Sequence, residues 1–238
     1  MDPGQTIYLP LVETDNPEIW ATQGKIGQTT TATPVWIHLK NPTSFPNERQ
    51  FPLKPEAKKG LEAIIITWGC RACNNPCTTL ITGIEKPNRE WWLVQDLHLI
   101  NEAVVPIHPV VPNLYTLLAQ TSEGTKWFTV LDLRDAFFCI PLPSDSQYLF
   151  AFEDPSNQTT QLTWTVLPQG FWDSPHLFGQ ALSKDLSEFL YSQVKVLQYV
   201  DDILLCAPTE EISQEGSKAL LNFLANRWYK VSKSKAQL

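Results

Sequence analysis

The residues of this 238-residue chain best placed to do chemistry are carboxylates set inside apolar runs. Asp201 and Asp202 sit side by side between Val196-Leu197-Gln198-Tyr199-Val200 and Ile203-Leu204-Leu205-Cys206. Each flank has strand length and is rich in β-branched and aromatic residues, so the pattern predicts a β-hairpin with the acids at its turn. The choice is chemically odd. Tight hairpins favour Asn-Gly or Gly-X because their turns need φ > 0, and Tyr-Val-Asp-Asp offers no glycine. Paired acids also repel, and each is costly to desolvate beside a core. Bound divalent cations would relieve both costs. For a bare Asp-Asp, a solvated acidic turn is the plainer alternative. Asp132 shifts the balance, because it lies inside a second apolar strand candidate that begins at Trp127. A strand acid plus a distant Asp-Asp hairpin is the set that two-metal nucleotidyl transfer needs. Cations about 3.5–4 Å apart stabilise the attacking and leaving oxygens of an in-line displacement. Three carboxylates on rigid strands supply the hard oxygen ligands that Mg²⁺ prefers.

The elements that must position these acids follow from periodicity and punctuation. Residues 1–30 mix Pro, Gly, Thr and polar residues without a helical period and are expected to form a flexible leader. Prolines at 34, 42, 46, 52 and 55 favour short extended pieces such as Val35–Leu39. A helix with Pro near its start is expected over Pro55–Ile65. Cys70-x-x-Cys73-x-x-x-Cys77 invites a metal, yet no fourth ligand has the usual spacing, so an ordinary loop before a strand is favoured. A hairpin over Ile84–Leu97 should turn at Lys86-Pro87-Asn88-Arg89-Glu90. A short helix is expected over Leu114–Gln120, and His108, among prolines and apolar residues, suits a structural role. Strands are expected over Tyr148–Phe152 and Gln161–Val166. Helical spacing runs from Ser174 to Leu190, with Leu177, Phe178, Ala181, Leu182, Leu186 and Phe189 toward one side. A last amphipathic helix should span Glu210–Asn226, followed by a basic stretch over Lys230–Lys235.

Composition bounds the class. Hydrophobic residues make up 43% of the chain, enough for a globular core, and 19 prolines outnumber 10 glycines. The net charge of −7 argues against a stand-alone nucleic-acid binder, which usually presents a basic face. Five cysteines, an odd number, come without a basic and apolar leader. An intracellular, reduced, cytoplasmic chain is expected. Apolar runs fall well short of the ~20 residues of a membrane span.

Four stretches occur in a telling order: Val94-Gln95-Asp96-Leu97, Leu131-Asp132-Leu133-Arg134-Asp135-Ala136-Phe137-Phe138, Leu167-Pro168-Gln169-Gly170-Phe171 and Tyr199-Val200-Asp201-Asp202. Together they resemble a retroviral reverse transcriptase of the gammaretroviral and related endogenous type, from about Trp20 onward. The resemblance implies an α+β fold with the fingers and palm subdomains of a right-hand polymerase, the palm being an antiparallel sheet backed by helices. It divides the chain into a leader (1–30), fingers (31–106 and 143–171) and palm (107–142 and 172–238). It implies RNA-directed DNA polymerisation, in which a primer 3′-hydroxyl attacks the α-phosphate of a deoxynucleotide triphosphate on an RNA or DNA template. Asp132, Asp201 and Asp202 would be the catalytic metal ligands, for two Mg²⁺ ions with Mn²⁺ as a substitute. Lys86 would meet the triphosphate, helped by backbone amides around Arg134, Asp135, Ala136 and Phe137. Phe137 matches an aromatic gate against the ribose 2′-hydroxyl; the alternative is a plain core phenylalanine, a role to which Phe138 has as strong a claim. Gln169 matches a residue near template and nucleotide, and Tyr199 and Val200 would face the primer end.

The sequence also departs from that family. Trp92 stands where the family has an arginine that closes on the triphosphate, and Arg89 in the turn is its nearest substitute. Trp172 and Trp228 fall where relatives tend to have a basic residue and a glycine, a pattern that single base changes in a drifting endogenous copy would produce. The helix after Pro55 is shorter by roughly one turn, ~4 residues. The family continues beyond the position of Leu238 into a primer grip, thumb, connection and RNase H domain within a longer polyprotein. Weak or absent activity is therefore expected of this chain by itself. The competing function is a catalytically defective remnant, inert or serving as a binding module for nucleic acid or protein. An unrelated Mg²⁺-dependent hydrolase is opposed by the ordered motifs.

Overall fold

The computed structural model describes residues 14–22, 27, 29, 31–87, 90–107 and 113–238. A 3-10 turn at Pro17–Ile19 comes first. Helix α1 (Pro55–Thr67) opens on proline, whose missing N–H costs a helix start nothing. Strands β1 (Cys70–Cys73), β2 (Ile81–Glu85) and β3 (Trp91–Gln95) follow, then helices α2 (His98–Ala103) and α3 (Leu114–Leu118). Strand β4 (Trp127–Asp132) leads through a 3-10 turn at Ala136–Cys139 to helix α4 (Ser144–Gln147) and strands β5 (Phe152–Glu153) and β6 (Gln161–Trp164). Helix α5 (Ser174–Leu186), hairpin strands β7 (Lys195–Tyr199) and β8 (Asp202–Ala207), and helix α6 (Glu210–Asn226) complete the order.

Among the described residues, two antiparallel three-stranded sheets and one hairpin result. The sheet β4-β8-β7 is the expected palm, and α5 and α6 back it. Its buried side alternates as a half-covered antiparallel sheet requires: Leu131 of β4 and Ile203 and Leu205 of β8 are enclosed, with Leu220, Leu221 and Leu224 of α6. Thr129 in that face is satisfied by the Ser217 hydroxyl of α6 at 2.7 Å. The expected fingers consist of β1-β6-β5 and the β2-β3 hairpin, on which α1 packs. Gly60 is required there, since a Cβ would lie 2.1 Å from the Trp91 ring. The two halves share a core around Trp164, stacked on Phe138 with centroids 5.1 Å apart, its indole N–H donated to Gln95 Oε1 at 2.7 Å.

Helix α6 starts on Thr209, whose hydroxyl accepts the Ile212 N–H. It ends in a Schellman turn: the Trp228 N–H donates to Ala225 O and the Tyr229 N–H to Leu224 O. Trp228 holds φ 64°, the left-handed conformation that this position normally reserves for glycine. That gives a physical reason for the glycine expected there by resemblance.

Several expectations need correction. Residues 14–22 belong to the fold and are not a loose leader: Ile19 is fully buried, and Trp20 bridges to Val231. Thr29 likewise donates its N–H to Cys139 O. The strand expected over Tyr148–Phe152 is mostly a 3-10 turn, Tyr148–Phe150, because it continues directly from α4. Helix α5 stops at Leu186, and Leu190 is exposed. The turn residues Asn88 and Arg89, and His108, lie outside the described residues.

Candidate active site

The β7-β8 register pairs Tyr199 with Asp202, which leaves Val200 and Asp201 as a two-residue turn. The sequence lacks the glycine such a turn favours, and the cost falls on Val200, at φ 55°. A β-branched residue in that region is a true outlier, worth about 1–3 kcal/mol of strain. Gln198 braces the turn from below, donating its carboxamide to Val200 O at 3.2 Å and to Gly179 O of α5 at 3.1 Å. Strand β4 brings the third acid, since Asp132 is the register partner of Asp202. Directly opposed residues of an antiparallel pair have Cα atoms about 4.5–5.5 Å apart. Beyond it, the Leu133 N–H donates to Asp201 O at 3.0 Å. Strand pairing thus brings Asp132 beside the consecutive Asp201 and Asp202, about 70 positions along the chain.

Their charges are poorly tolerated. Partial burial pushes the Asp201 carboxyl above its ordinary value, and the neighbouring Asp132 charge pushes the same way. Asp202 rises for the same reasons, burial first and then repulsion from Asp201 and Asp132. Lys235 opposes both shifts and lies 3.0 Å from Asp132 Oδ2. It arrives there because the last residues return along β4. The Ser232 N–H donates to Asp132 O, and Val130 and Gln237 exchange both backbone hydrogen bonds. Among the described residues, no three His, Cys, Asp or Glu groups converge on one cation position. Strand pairing brings the three backbones together, and the Asp132 carboxylate meets the Lys235 ammonium.

The remaining candidates occupy two neighbouring layers. Asp135 stands in the left-handed region (φ 53°, ψ 35°) and begins the 3-10 turn. Burial raises its carboxyl, while Arg134 and Lys86 draw it back. Of the amides around Arg134, its own is already committed, donating to Lys230 O at 2.9 Å. The two phenylalanines separate cleanly. Phe138 is a core ring, 2% exposed, whereas Phe137 is half-buried and meets Phe178 edge-on at 6.0 Å. In the fingers hairpin, Lys86 Nζ lies 4.2 Å above the Trp92 ring, and the Trp92 N–H donates to Gln169 Oε1 at 3.1 Å. The loop bearing Gln169 is fixed by Asn101, which donates to Gly170 O and accepts the Trp172 N–H.

Comparison with known proteins gives the family and the fold. The family model described as reverse transcriptase (RNA-dependent DNA polymerase) matches residues 84–238. This chain belongs to the reverse transcriptase family. It is 45% identical over 235 residues to the Pol polyprotein of feline endogenous virus ECE1, covering 94% of this chain and 22% of that protein. It is also 45% identical over 232 residues to the Gag-Pol polyprotein of feline leukemia virus, covering 93% of this chain and 14% of that one. The protease-reverse transcriptase of prototype foamy virus superposes with a TM-score of 0.73 at 26% identity, over 92% of this chain and 29% of that one. The reverse transcriptase chain thus spans under a quarter of those polyproteins, and its α+β polymerase fold is shared with a solved member of the family.

Some site residues escape a reading of the sequence alone. Lys235 reads as part of a basic tail, because its partner depends on the chain's return along β4. Gln198 carries no signal beyond an amide in an apolar strand. Asp185 does carry one: it continues the inward stripe Phe178, Leu182 at helical spacing, where a charge needs a partner.

Proposed function

We propose that this chain forms the fingers and palm, within the bounds given above, of an RNA-directed DNA polymerase that extends a primer from deoxynucleotide triphosphates. The observation that carries the proposal is the register pairing Asp132 with Asp202 beside a turn that presents Asp201. The donor set fits divalent cations: all oxygen, held on strands, with raised carboxyls and an ammonium already drawn to Asp132. Asp132 and Asp201 would hold the metals and Asp202 would complete the set, with Asp132 exchanging Lys235 for a cation. When bound, two such ions neutralise charge on the attacking and leaving oxygens.

The chain's own residues supply position. Phe137, half-buried beside the strand of Asp132, closes the space that a 2′-hydroxyl would need. Lys86 and Gln169 lie on the opposite wall, and Tyr199 and Val200 face the primer terminus. The backbone amides of Asp135, Ala136 and Phe137, at the start of the 3-10 turn beside Asp132, would meet a phosphate oxygen. Foamy virus enzymes of this fold have been solved with an RNA/DNA hybrid and with double-stranded DNA, and a template-primer duplex is the substrate class proposed here.

The test is primer extension on an RNA template by the chain joined to the segment that follows the matching region in the feline leukemia virus polyprotein. Extension should require Mg²⁺ or Mn²⁺ and vanish in Asp201→Asn. Equal extension by the Asp201→Asn protein would overturn the proposal.

A further inference from the structure

We infer that Trp92 is a positioning residue, which holds Lys86 by its ring face and Gln169 by its indole edge across the mouth of the nucleotide site. The inference rests on the polymerase function proposed above. Alternation along β3 gives the two tryptophans different tasks. Trp91 seats its ring on Gly60 of α1, whereas Trp92 projects outward and is 38% exposed. Its register partner is Ile84, so it stands on the hairpin's last rungs, just before the turn closed by the Lys86 N–H to Glu90 O at 2.8 Å.

Two independent contacts converge on its indole. The Lys86 ammonium lies 4.2 Å above the ring, within the range of a cation–π attraction. The indole N–H meets Gln169 Oε1, 77 positions along the chain, at 3.1 Å. Fingers hairpin and Leu167–Phe171 loop are thereby joined by one rigid ring. A lysine in a turn otherwise spreads over many rotamers, and ordering it costs binding free energy. Held on the ring, its charge is felt at Asp135, on the palm side of the site. An arginine at 92 would contact a triphosphate directly. The tryptophan acts through Lys86, by having its side chain ordered before the nucleotide arrives.

The test is a double-mutant cycle on Mg-dATP binding to the full chain, by calorimetry, with Trp92→Ala, Lys86→Ala and both together. Trp92→Ala should weaken binding about two- to fivefold, the strength of an exposed cation–π contact. In the Lys86→Ala background the same change should do much less, because the two act as one unit. Trp92→Phe keeps the ring and should recover most of the loss. In proteins labelled at lysine, the ε-CH₂ of Lys86 should show an upfield ring-current shift that Trp92→Ala abolishes and Trp92→Phe retains. Additive losses, or an unshifted Lys86 signal with nucleotide binding intact, would overturn the inference and leave the polymerase function standing. Failure of the unaltered chain to bind Mg-dATP at all would overturn both.

Discussion

Two carboxylate sites in this molecule are built on opposite terms. Asp185 of α5 is 1% exposed and fully served: it accepts from Thr31 Oγ1 at 2.8 Å, Arg227 Nη1 at 2.7 Å and Tyr229 Oη at 2.7 Å. Burial, reinforced by the Asp185 charge, pushes the Tyr229 phenol far above its usual range and keeps it a donor. Asp132, Asp201 and Asp202 instead bring like charges together beside one lysine, next to a strained turn. The first site closes the fold, tying the N-terminal segment, α5 and the end of α6 together. The second is left electrostatically incomplete, which suits the cation binding proposed above. Satisfying a buried charge and readying one for chemistry are different designs, and this chain keeps them on separate elements.

Substitutions should separate the two. The largest effect is expected on activity at the incomplete site. Asp201→Asn removes the oxygen proposed to ligate metal, and loss of several kcal/mol of transition-state stabilisation corresponds to about 10³-fold in primer extension. Its urea midpoint should stay level or rise, because a repelling charge has gone. Next comes Asp185→Ala, which leaves Arg227 and Tyr229 without their shared acceptor. Breaking such a buried pair costs about 3–5 kcal/mol, and the low end is expected since Glu188 still holds Arg227 at 2.6 Å. Chemical denaturation checks it. If Asp185→Ala proved neutral in stability while Asp201→Asn unfolded the chain, the contrast would be wrong.

Trp228→Gly is expected to stabilise by about 1 kcal/mol, by relieving the left-handed strain in the turn that delivers Tyr229 to Asp185. Thermal unfolding of the variant gives the sign directly. The smallest effect is a pH slope. Asp201 and Asp202 hold protons more tightly folded than unfolded, so stability should fall as pH rises from the ordinary carboxylate value of 3.8 through their raised folded values. Urea midpoints across that window should fall for the unaltered chain and flatten in Asp201→Asn/Asp202→Asn. A slope unchanged by the double substitution would place its origin elsewhere.

What the sequence reveals here follows the range of the interactions. Helix Glu210–Asn226 and the hairpin around Asp201 are legible because caps, periodicity and strand alternation are local. The family match needs only short motifs in order. Tyr148–Phe150 misleads because three apolar residues fit a strand as well as a 3-10 turn. The roles of Ile19, Trp20 and Lys235 cannot be read locally, since each is decided by a partner distant along the chain. Trp92 reads from sequence as a lost arginine, and only its neighbours in space show what the indole holds.

The return of residues 230–237 along β4 also sets an order of assembly. Lys230 reaches Glu18, 212 positions away, and Val231 pairs with Trp20 on one side and Leu133 on the other. Contacts of such separation form late, because loop closure must precede them. During synthesis, the edge of the strand bearing Asp132 stays bare until residues 230–237 are available to cover it. A bare strand edge is a template for pairing with other chains. Nascent chains stalled before Val231 should therefore be the aggregation-prone species, and docking of residues 230–237 on β4 should be the step that removes the hazard.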